Sequence, residues 1–552
     1  MEVGSQVSVV RSRNVVLDSW TGPADIVIER EKIVGIYSEE ITAPQHQSQQ
    51  ILDVGDLVVM PGVVDSHVHV NEPGRTDWEG YWTATRAAAA GGITTLIDMP
   101  LNSIPPTTRL EHLQTKLHAA RDKCFVDTGF WGGVVPGNQY ALRPMIEAGV
   151  PGFKCFLIHS GVDEFPHVNE EDLRTSLAQM QGTDRVLLFH AEKEMKNLKP
   201  PVNNPREYAT FLATRPDDME VEAIRTVIKL CLQYRVRCHI VHLSTAKALP
   251  LIDEARKAGA LLTVETTPHY LLLSAEDIPV GATHFKCCPP IRTKNNQEQL
   301  WSALKAGKID MVVSDHSPCT TDLKRLRSGN FLKAWGGISS LQFGLPLFWT
   351  SARQRGFTIQ DTVNLMCKNT ARLCGMESRK GSLVTGKDAD MVIWDPDREF
   401  EVTETLIHHK NKMLPDLLNI FKIDFQNIGV DGFGSVKDRN ASNPVEHFGL
   451  YDRYLINQKK SRACMLISTS KNMLLELVKN GYQLAHFGNL TVFLTGCILI
   501  YTKIYVYPMA LINNKYHHMH SLVQLIEDSD ALLNAMTRVK CNQLSFKIWR
   551  TD

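Results

Sequence analysis

The sequence predicts an α/β fold, a (β/α)8 TIM barrel beside a small β unit. Eight apolar runs of strand length, at residues 57–70, 94–99, 129–135, 152–157, 186–190, 238–243, 261–266 and 311–314, are separated mostly by helix-compatible stretches. Polar and ionisable residues gather at the C-terminal ends of these runs, which is where such barrels carry catalysis. At 552 residues the chain also exceeds the ~250–300 residues over which one core grows, so two or three structural units are expected.

The first sixty residues hold short apolar runs at 14–17, 25–28 and 32–36, broken by Gly, Pro and charge, and read as the small β unit, residues 1–60. The run at 57–70, an Ala-rich helical stretch at 84–91 and the run at 94–99 make a βαβ start. A closing helix is expected near 358–374, which bounds the barrel at 61–375. A Gly-containing turn at 380–390 and the strand Met391-Val392-Ile393-Trp394 then resume the small β unit over 376–412. Beyond Lys412 the character changes: the last 140 residues hold twelve Asn against fourteen in the preceding 412, and the patterning becomes irregular. Residues 413–552 are therefore read as a divergent tail of uncertain fold, foreign to the rest, whose arrival in place of returning strands would leave sheet edges unpaired. Its apolar run at 490–502 is thirteen residues long, short of the ~20 of a membrane-spanning helix.

A composition of 43% hydrophobic and 22% charged residues is that of an ordinary globular chain and excludes collagen-like or disordered classes. The formal net charge of zero and the scattered basic residues give no footprint for nucleic acid or an anionic membrane, so neither is an expected partner. Small neutral or zwitterionic ligands fit better. Twelve cysteines without regular spacing, two of them the adjacent Cys287 and Cys288, argue against a disulfide framework. With an opening that lacks a signal-peptide pattern, they point to an intracellular, cytoplasmic protein, the peroxisome and mitochondrion being alternatives. The triplets at Asn440 and Asn489 then carry no glycosylation meaning.

Asp65-Ser66-His67-Val68-His69 ends the first barrel run, and the i, i+2 spacing on a strand sends both imidazoles to one face. Alone, such a pair also suits two satisfied polar side chains. Lys154, in Gly152-Phe153-Lys154-Cys155-Phe156, stands where an ammonium is costly to bury unless it snorkels or pairs. Two divalent cations ~3.5–4 Å apart would repel and call for a bridging anion, which a carbamylated lysine supplies. His190 and His242 each terminate an apolar run, as core histidines also do. Asp315, in Ser314-Asp315-His316-Ser317, ends the last run, where a carboxylate can ligate a metal and still accept a proton. Together the six form a binuclear shell of imidazole and oxygen ligands.

In this order the motifs resemble the cyclic amidohydrolases of the amidohydrolase superfamily, over about residues 8–412. Within that group His69-Val70-Asn71-Glu72-Pro73-Gly74-Arg75, Asp98-Met99-Pro100-Leu101-Asn102, Cys288-Pro289-Pro290-Ile291-Arg292 and Lys333-Ala334-Trp335-Gly336-Gly337-Ile338 are similar to allantoinases. The resemblance implies a barrel beside a small β-sandwich built from the N-terminal segment and a segment after the barrel. It implies two divalent metal ions per chain, expected to be zinc, although such ligands also accept manganese, cobalt, nickel or iron. His67, His69 and Asp315 would hold the more buried ion, His190 and His242 the other, and carboxylated Lys154 would bridge both. Asp315 would also be the catalytic proton shuttle. The implied reaction opens the hydantoin ring of allantoin to allantoate in purine catabolism, by a homo-oligomer, a homotetramer on the family pattern.

Asn102 and Ser317 lie just past strand ends and suit either substrate binding or helix capping. His159, His269, His284 and His316 are assigned structural roles, since no ligand position is left for them. Dihydroorotases are a rival, but typically place an arginine where this chain has Asn71. Dihydropyrimidinases and hydantoinases share the metal shell and resemble segment 72–80 less. A non-catalytic scaffold related to dihydropyrimidinases would be expected to lose metal ligands, and all six are present here.

Overall fold

The structure, a computed structural model, describes residues 8–38, 50–196, 204–398, 400, 402, 406–410 and four short strands further on. The chain divides into two compact units, Met1–Arg453 and Tyr454–Asp552. In the first, β1 (Ser8–Val16), β2 (Thr21–Glu29) and β3 (Lys32–Ser38) form an antiparallel meander, and β4 (Gln50–Asp53) and β5 (Val58–Pro61) pair with β1 in parallel. The strands outrun the apolar segments because charge is paired across them: Arg11 faces Asp25, with Nε 2.7 Å from Oδ1.

The barrel strands are β6 (Val63–Val68), β7 (Ile93–Asp98), β8 (Asp127–Phe130), β9 (Gly132–Gly133), β10 (Gly152–Phe156), β11 (Val186–His190), β12 (Arg237–Ile240), β13 (Leu262–Thr266) and β14 (Met311–Val312). All pair in parallel, in two ladders, β6 to β8 and β9 to β14. β8 and β9 are one course of chain interrupted at Trp131, whose N–H donates to Asp98 O at 3.0 Å and whose indole donates to Ser66 O at 2.8 Å. At the other side an isolated parallel bridge joins Val68 to His316, and the His69 N–H donates to His316 O at 2.8 Å, returning the last course to the first. Eight parallel courses thus match the eight runs expected, and the closing helix is present as Ile359–Val363, a π turn at Asn364–Lys368 and Asn369–Leu373.

Strand alternation decides what faces the barrel axis. Leu187, Phe189, Cys238, Ile240, Leu262 and Val264 belong to the large core under the helices. Their neighbours Val186, Leu188, Val241 and Phe156 pack in a second core with Ile97, Met311 and Val313. Lys154, His190, His239 and Glu265 share the parity of that second set, so the pleat alone sends them inward.

β15 (Met391–Trp394) pairs antiparallel with β5, so the segment after the barrel does complete the N-terminal sheet, in the order β15-β5-β1-β2-β3. The join to the barrel combines apolar packing, with Val16, Val58, Met60, Val392 and Trp394 in the large core, and an ion cluster. Lys380, 5% exposed, places Nζ 2.6 Å from Asp127, 3.0 Å from Asp388 and 2.5 Å from Asp390. Burial opposes the charge on Asp388, yet Lys32 and Lys380 hold its carboxyl down to about 2. Of the divergent-tail segment, only His486–Phe487 paired with Leu490–Thr491 and Leu499–Ile500 paired with Tyr505–Val506 are described, and the remainder of that expectation lies outside the described residues. Among the described residues, no helix is long and apolar enough to cross a membrane.

Lys380→Ala leaves three carboxylates crowded at this join with their shared cation removed. The expected outcome is a loss of about 3 kcal/mol in urea unfolding at neutral pH; an unchanged midpoint would show that the cluster does not hold the two parts together.

Candidate metal centre

All six residues singled out from the sequence are buried at the C-terminal mouth of the barrel. His67 and His69 leave β6 on one face, and their ring centroids lie 5.4 Å apart. Asp315 Oδ1 lies 3.1 Å from His67 Nε2 and 3.7 Å from His69 Nε2, and ligand atoms of the three fall within 4.8 Å of one another. His242 stands 5.4 Å from His67 and His190 4.7 Å from His242, ring centre to ring centre. Phe156 stacks on His190 at 4.4 Å, and Lys154 Nζ sits 5.1 Å from the Phe156 ring. The six therefore form one contiguous group, and the Lys154 ammonium acts electrostatically on His69, His190 and His242 alike.

Pleat parity brings in Lys154 and His190, but not His242, which follows the inward Val241. His242 has φ 39°, in the left-handed region, and that turn redirects its side chain. Asp315 (φ 44°), Asn71 (φ 66°) and Asn102 (φ 66°) share the conformation. Four non-glycine residues held there at about 1–3 kcal/mol each mark this rim as a strained, over-determined part of the fold.

The tautomer of His67 follows from its partner. Glu265 Oε1 lies 2.5 Å from His67 Nδ1, and the other oxygen is 3.0 Å from His239 Nε2. Burial opposes the Glu265 charge, but His67 and His239 hold its carboxyl well below the usual range. His67 thus gives its Nδ1–H to Glu265 and turns Nε2 toward Asp315 Oδ1. Lone pairs at 3.1 Å in a buried site repel unless a cation or proton lies among them. Likewise the His190 Nε2–H donates to Glu192 at 2.7 Å, leaving Nδ1 as that ring's free lone pair. Nδ1 of His69 and of His242 are buried without hydrogen-bond partners among the described residues. This donor set fits divalent cations.

Burial sets the charge state of the pocket. It pushes His190 down to about 4, and His69 and His242 well below the imidazole range, which favours neutral rings. It lowers the Lys154 ammonium to about 8, against the pull of Glu265 and Asp315, and no ion pair to that ammonium forms among the described residues. Burial likewise raises the Asp315 carboxyl above the usual range. Asp65 is pushed up to about 6 by burial and accepts the N–H of His67 at 3.1 Å and of Ser314 at 3.3 Å, tying the first and last strand ends. Asp98 accepts from Val70 N–H at 2.9 Å and pairs with buried Lys116 at 2.9 Å, fixing the chain just after His69.

Among the described residues Asn102 Oδ1 is buried without a partner, as is Asn71 Oδ1, while Ser317 Oγ donates to Asp315 O at 2.7 Å and lies 3.3 Å from Asp315 Oδ1. Gly337 (φ 148°) lets the 332–338 loop close on this point, since a Cβ there would meet Ser317 O at 2.2 Å. Of the histidines given structural roles, His316 accepts from Ser340 N–H and gives its Nε2–H to Glu79. His269, near the mouth, is pushed down to about 3 by burial, and neither ring nitrogen has a partner among the described residues.

The Amidohydrolase family matches residues 58–429 of this chain. The chain belongs to that family. Among curated relatives, "Allantoinase, mitochondrial" of Aquarana catesbeiana is 58% identical over 393 residues, covering 71% of this chain and 80% of that protein. Streptomyces avermitilis allantoinase is 49% identical, covering 73% and 90%, and the Saccharomyces cerevisiae enzyme 43%, covering 74% and 90%. Among solved structures, L-hydantoinase from Arthrobacter aurescens aligns with TM-score 0.69 at 30% identity, and dihydropyrimidinase from Brevibacillus agri with 0.66 at 28%. Each alignment covers 73% of this chain, with 90% and 89% of the neighbour. As an amidohydrolase the chain is a metal-dependent hydrolase on the barrel fold read from its sequence. The family match ends at residue 429, inside the segment read as foreign.

Sequence reasoning missed the parts of Glu265, which bonds His67, and of Glu192 with Arg215, which hold His190. Glu265 carried a signal, an acid within the apolar run 261–266. Glu265→Gln keeps the shape but weakens the grip on His67, so metal affinity is expected to fall roughly 10–100-fold in competition with a chromophoric chelator. An affinity equal to the parent's would remove Glu265 from the centre.

Proposed function

We infer that this chain hydrolyses the hydantoin ring of allantoin to allantoate. Support comes from one observation above all: His67, His69 and Asp315 bring possible ligand atoms together at the mouth of an amidohydrolase barrel whose relatives are allantoinases. Two divalent cations, with zinc as first choice, are assigned to the pocket. His67, His69 and Asp315 would hold one, His190 and His242 the other, and carboxylated Lys154 both. Bound there, such ions polarise a carbonyl and lower the pKa of water toward 7.

The chain's own residues do the rest. Asp315 takes the proton of the water that adds to the ring carbonyl and returns it to the ring nitrogen as the C–N bond breaks. Burial favours that role by lifting its proton affinity above that of a surface carboxylate. The amide of Asn102 and the hydroxyl of Ser317 are assigned to the ring and ureido arm. Allantoin carries no carboxylate, in keeping with an uncharged Asn71 where a dihydroorotase places arginine. A homotetramer and a cytoplasmic or mitochondrial location complete the proposal; the described cysteines are all free thiols, as a reducing compartment requires.

Purified protein is expected to turn over allantoin with a higher kcat/KM than dihydrouracil or dihydroorotate; a preference for either alternative would overturn the assignment. Asp315→Asn should retain the fold and lower kcat by about 10²–10⁴. A variant within threefold of the parent would exclude Asp315 as the proton carrier.

Carboxylation of Lys154 needs its neutral amine to attack CO2. With the ammonium at about 8, the amine is roughly half neutral at pH 8 and about tenfold scarcer per unit well below it. Protein stripped of metal and CO2, then reloaded at fixed dissolved CO2, is thus expected to regain activity roughly fivefold faster at pH 8 than at pH 7. A rate independent of pH, or a fully active Lys154→Ala chain, would refute the modification.

A further inference from the structure

We propose that the start of the Asp217–Tyr234 helix, from Arg215 to Glu220, is the positioning element of the His190–His242 half of the centre. The proposal rests on the assignment of a second cation to those two rings. Glu192, fully buried, uses one oxygen twice: Oε2 accepts His190 Nε2–H at 2.7 Å and Arg215 Nη1–H at 2.5 Å. Its other oxygen, Oε1, has no partner among the described residues. A pair serving only the fold would gain by using both oxygens. Here the geometry is set by the ring that must be turned.

The same helix start reaches His242. Arg292 donates to the Arg215 carbonyl at 3.2 Å and clasps Glu220 through Nη2 at 2.6 Å and Nε at 3.2 Å. Glu220 Oε1 in turn accepts the N–H of Ser244 at 3.0 Å and of Thr245 at 3.3 Å, just beyond the left-handed turn at His242. Two acids and two arginines therefore join the loops after β11 and β12. Each buried charge is compensated by a neighbour in the chain, so that losing one loosens the next. His67, by contrast, depends on Glu265 in β13 and on none of these residues. Glu265 serves both halves, since its Oε1 also accepts the His242 N–H at 3.2 Å, whereas the bonds of Glu192, Arg215, Glu220 and Arg292 run to the His190–His242 side, so damage to these four should strike the second cation selectively.

Cobalt(II) titration of the metal-depleted full chain, followed by its visible d–d absorption, tests this. The parent is expected to take two equivalents. Glu192→Gln and Arg215→Met should bind the first within about twofold of the parent and the second roughly 10–100-fold more weakly. Arg215→Lys, which keeps the charge, should restore part of the second step. First-step affinity serves as the internal check on folding, and should Glu192→Gln fail it, the two Arg215 variants carry the test. Equal weakening of both steps, a second step of parental strength, or no difference between Arg215→Lys and Arg215→Met would overturn the proposal. A parent that binds no cobalt would overturn the metal assignment itself, and this inference with it.

Discussion

The whole mouth of the barrel is organised around a repulsion. With its Nδ1–H committed to Glu265, His67 turns Nε2 toward Asp315 Oδ1 at 3.1 Å, a contact that repels unless a proton or cation lies in it, and His69 Nε2 lies 3.7 Å from the same oxygen. In bulk water such a cluster would relax apart. Here it is held in a pocket where unpaired polar groups cost about 1–3 kcal/mol each, and charges more. A divalent cation turns that cost into binding energy, and this explains why an otherwise apolar barrel gathers four imidazoles, a lysine and a carboxylate at one end.

Holding these groups in place takes several kinds of constraint at once. The pleat turns Lys154, His190 and Glu265 inward, while the left-handed backbone at His242 and Asp315 aims residues that alternation does not settle. Asp65 ties the strand end bearing His67 to the strand end bearing Asp315, and Asp98 with Lys116 fixes the chain after His69. Each of these supports is itself a buried charge with its own compensation. The centre is thus the innermost layer of a network whose outer members never touch substrate, and which is as demanding to build as the ligand set.

Much of this was legible in the sequence, for a physical reason. Parallel barrel strands are covered on both faces, so they read as continuous apolar runs, and a polar residue at the end of one stands out. That is how His67, His69, Lys154, His190, His242 and Asp315 could be picked without coordinates. The supports were less legible because they are defined by partners far away in the chain: Glu265 meets His67 across 198 positions and Arg292 meets Glu220 across 72. Backbone conformation was equally hidden; nothing in Val241-His242-Leu243 announces a φ of 39°. The run 129–135 read as one strand but is split at Trp131, whose ring turns inward to bond Ser66. In the small sheet, charged pairs such as Arg11 with Asp25 lengthen strands beyond their apolar segments.

The central claim is that cations complete this pocket and that catalysis depends on them. The direct measurement is the divalent metal content of protein purified without chelator, by plasma mass spectrometry, alongside allantoate formation before metal removal, after it, and after metal is restored. Two ions per chain are expected, with activity lost on their removal and regained on their return. A metal-free chain that opens allantoin at an undiminished rate would contradict it.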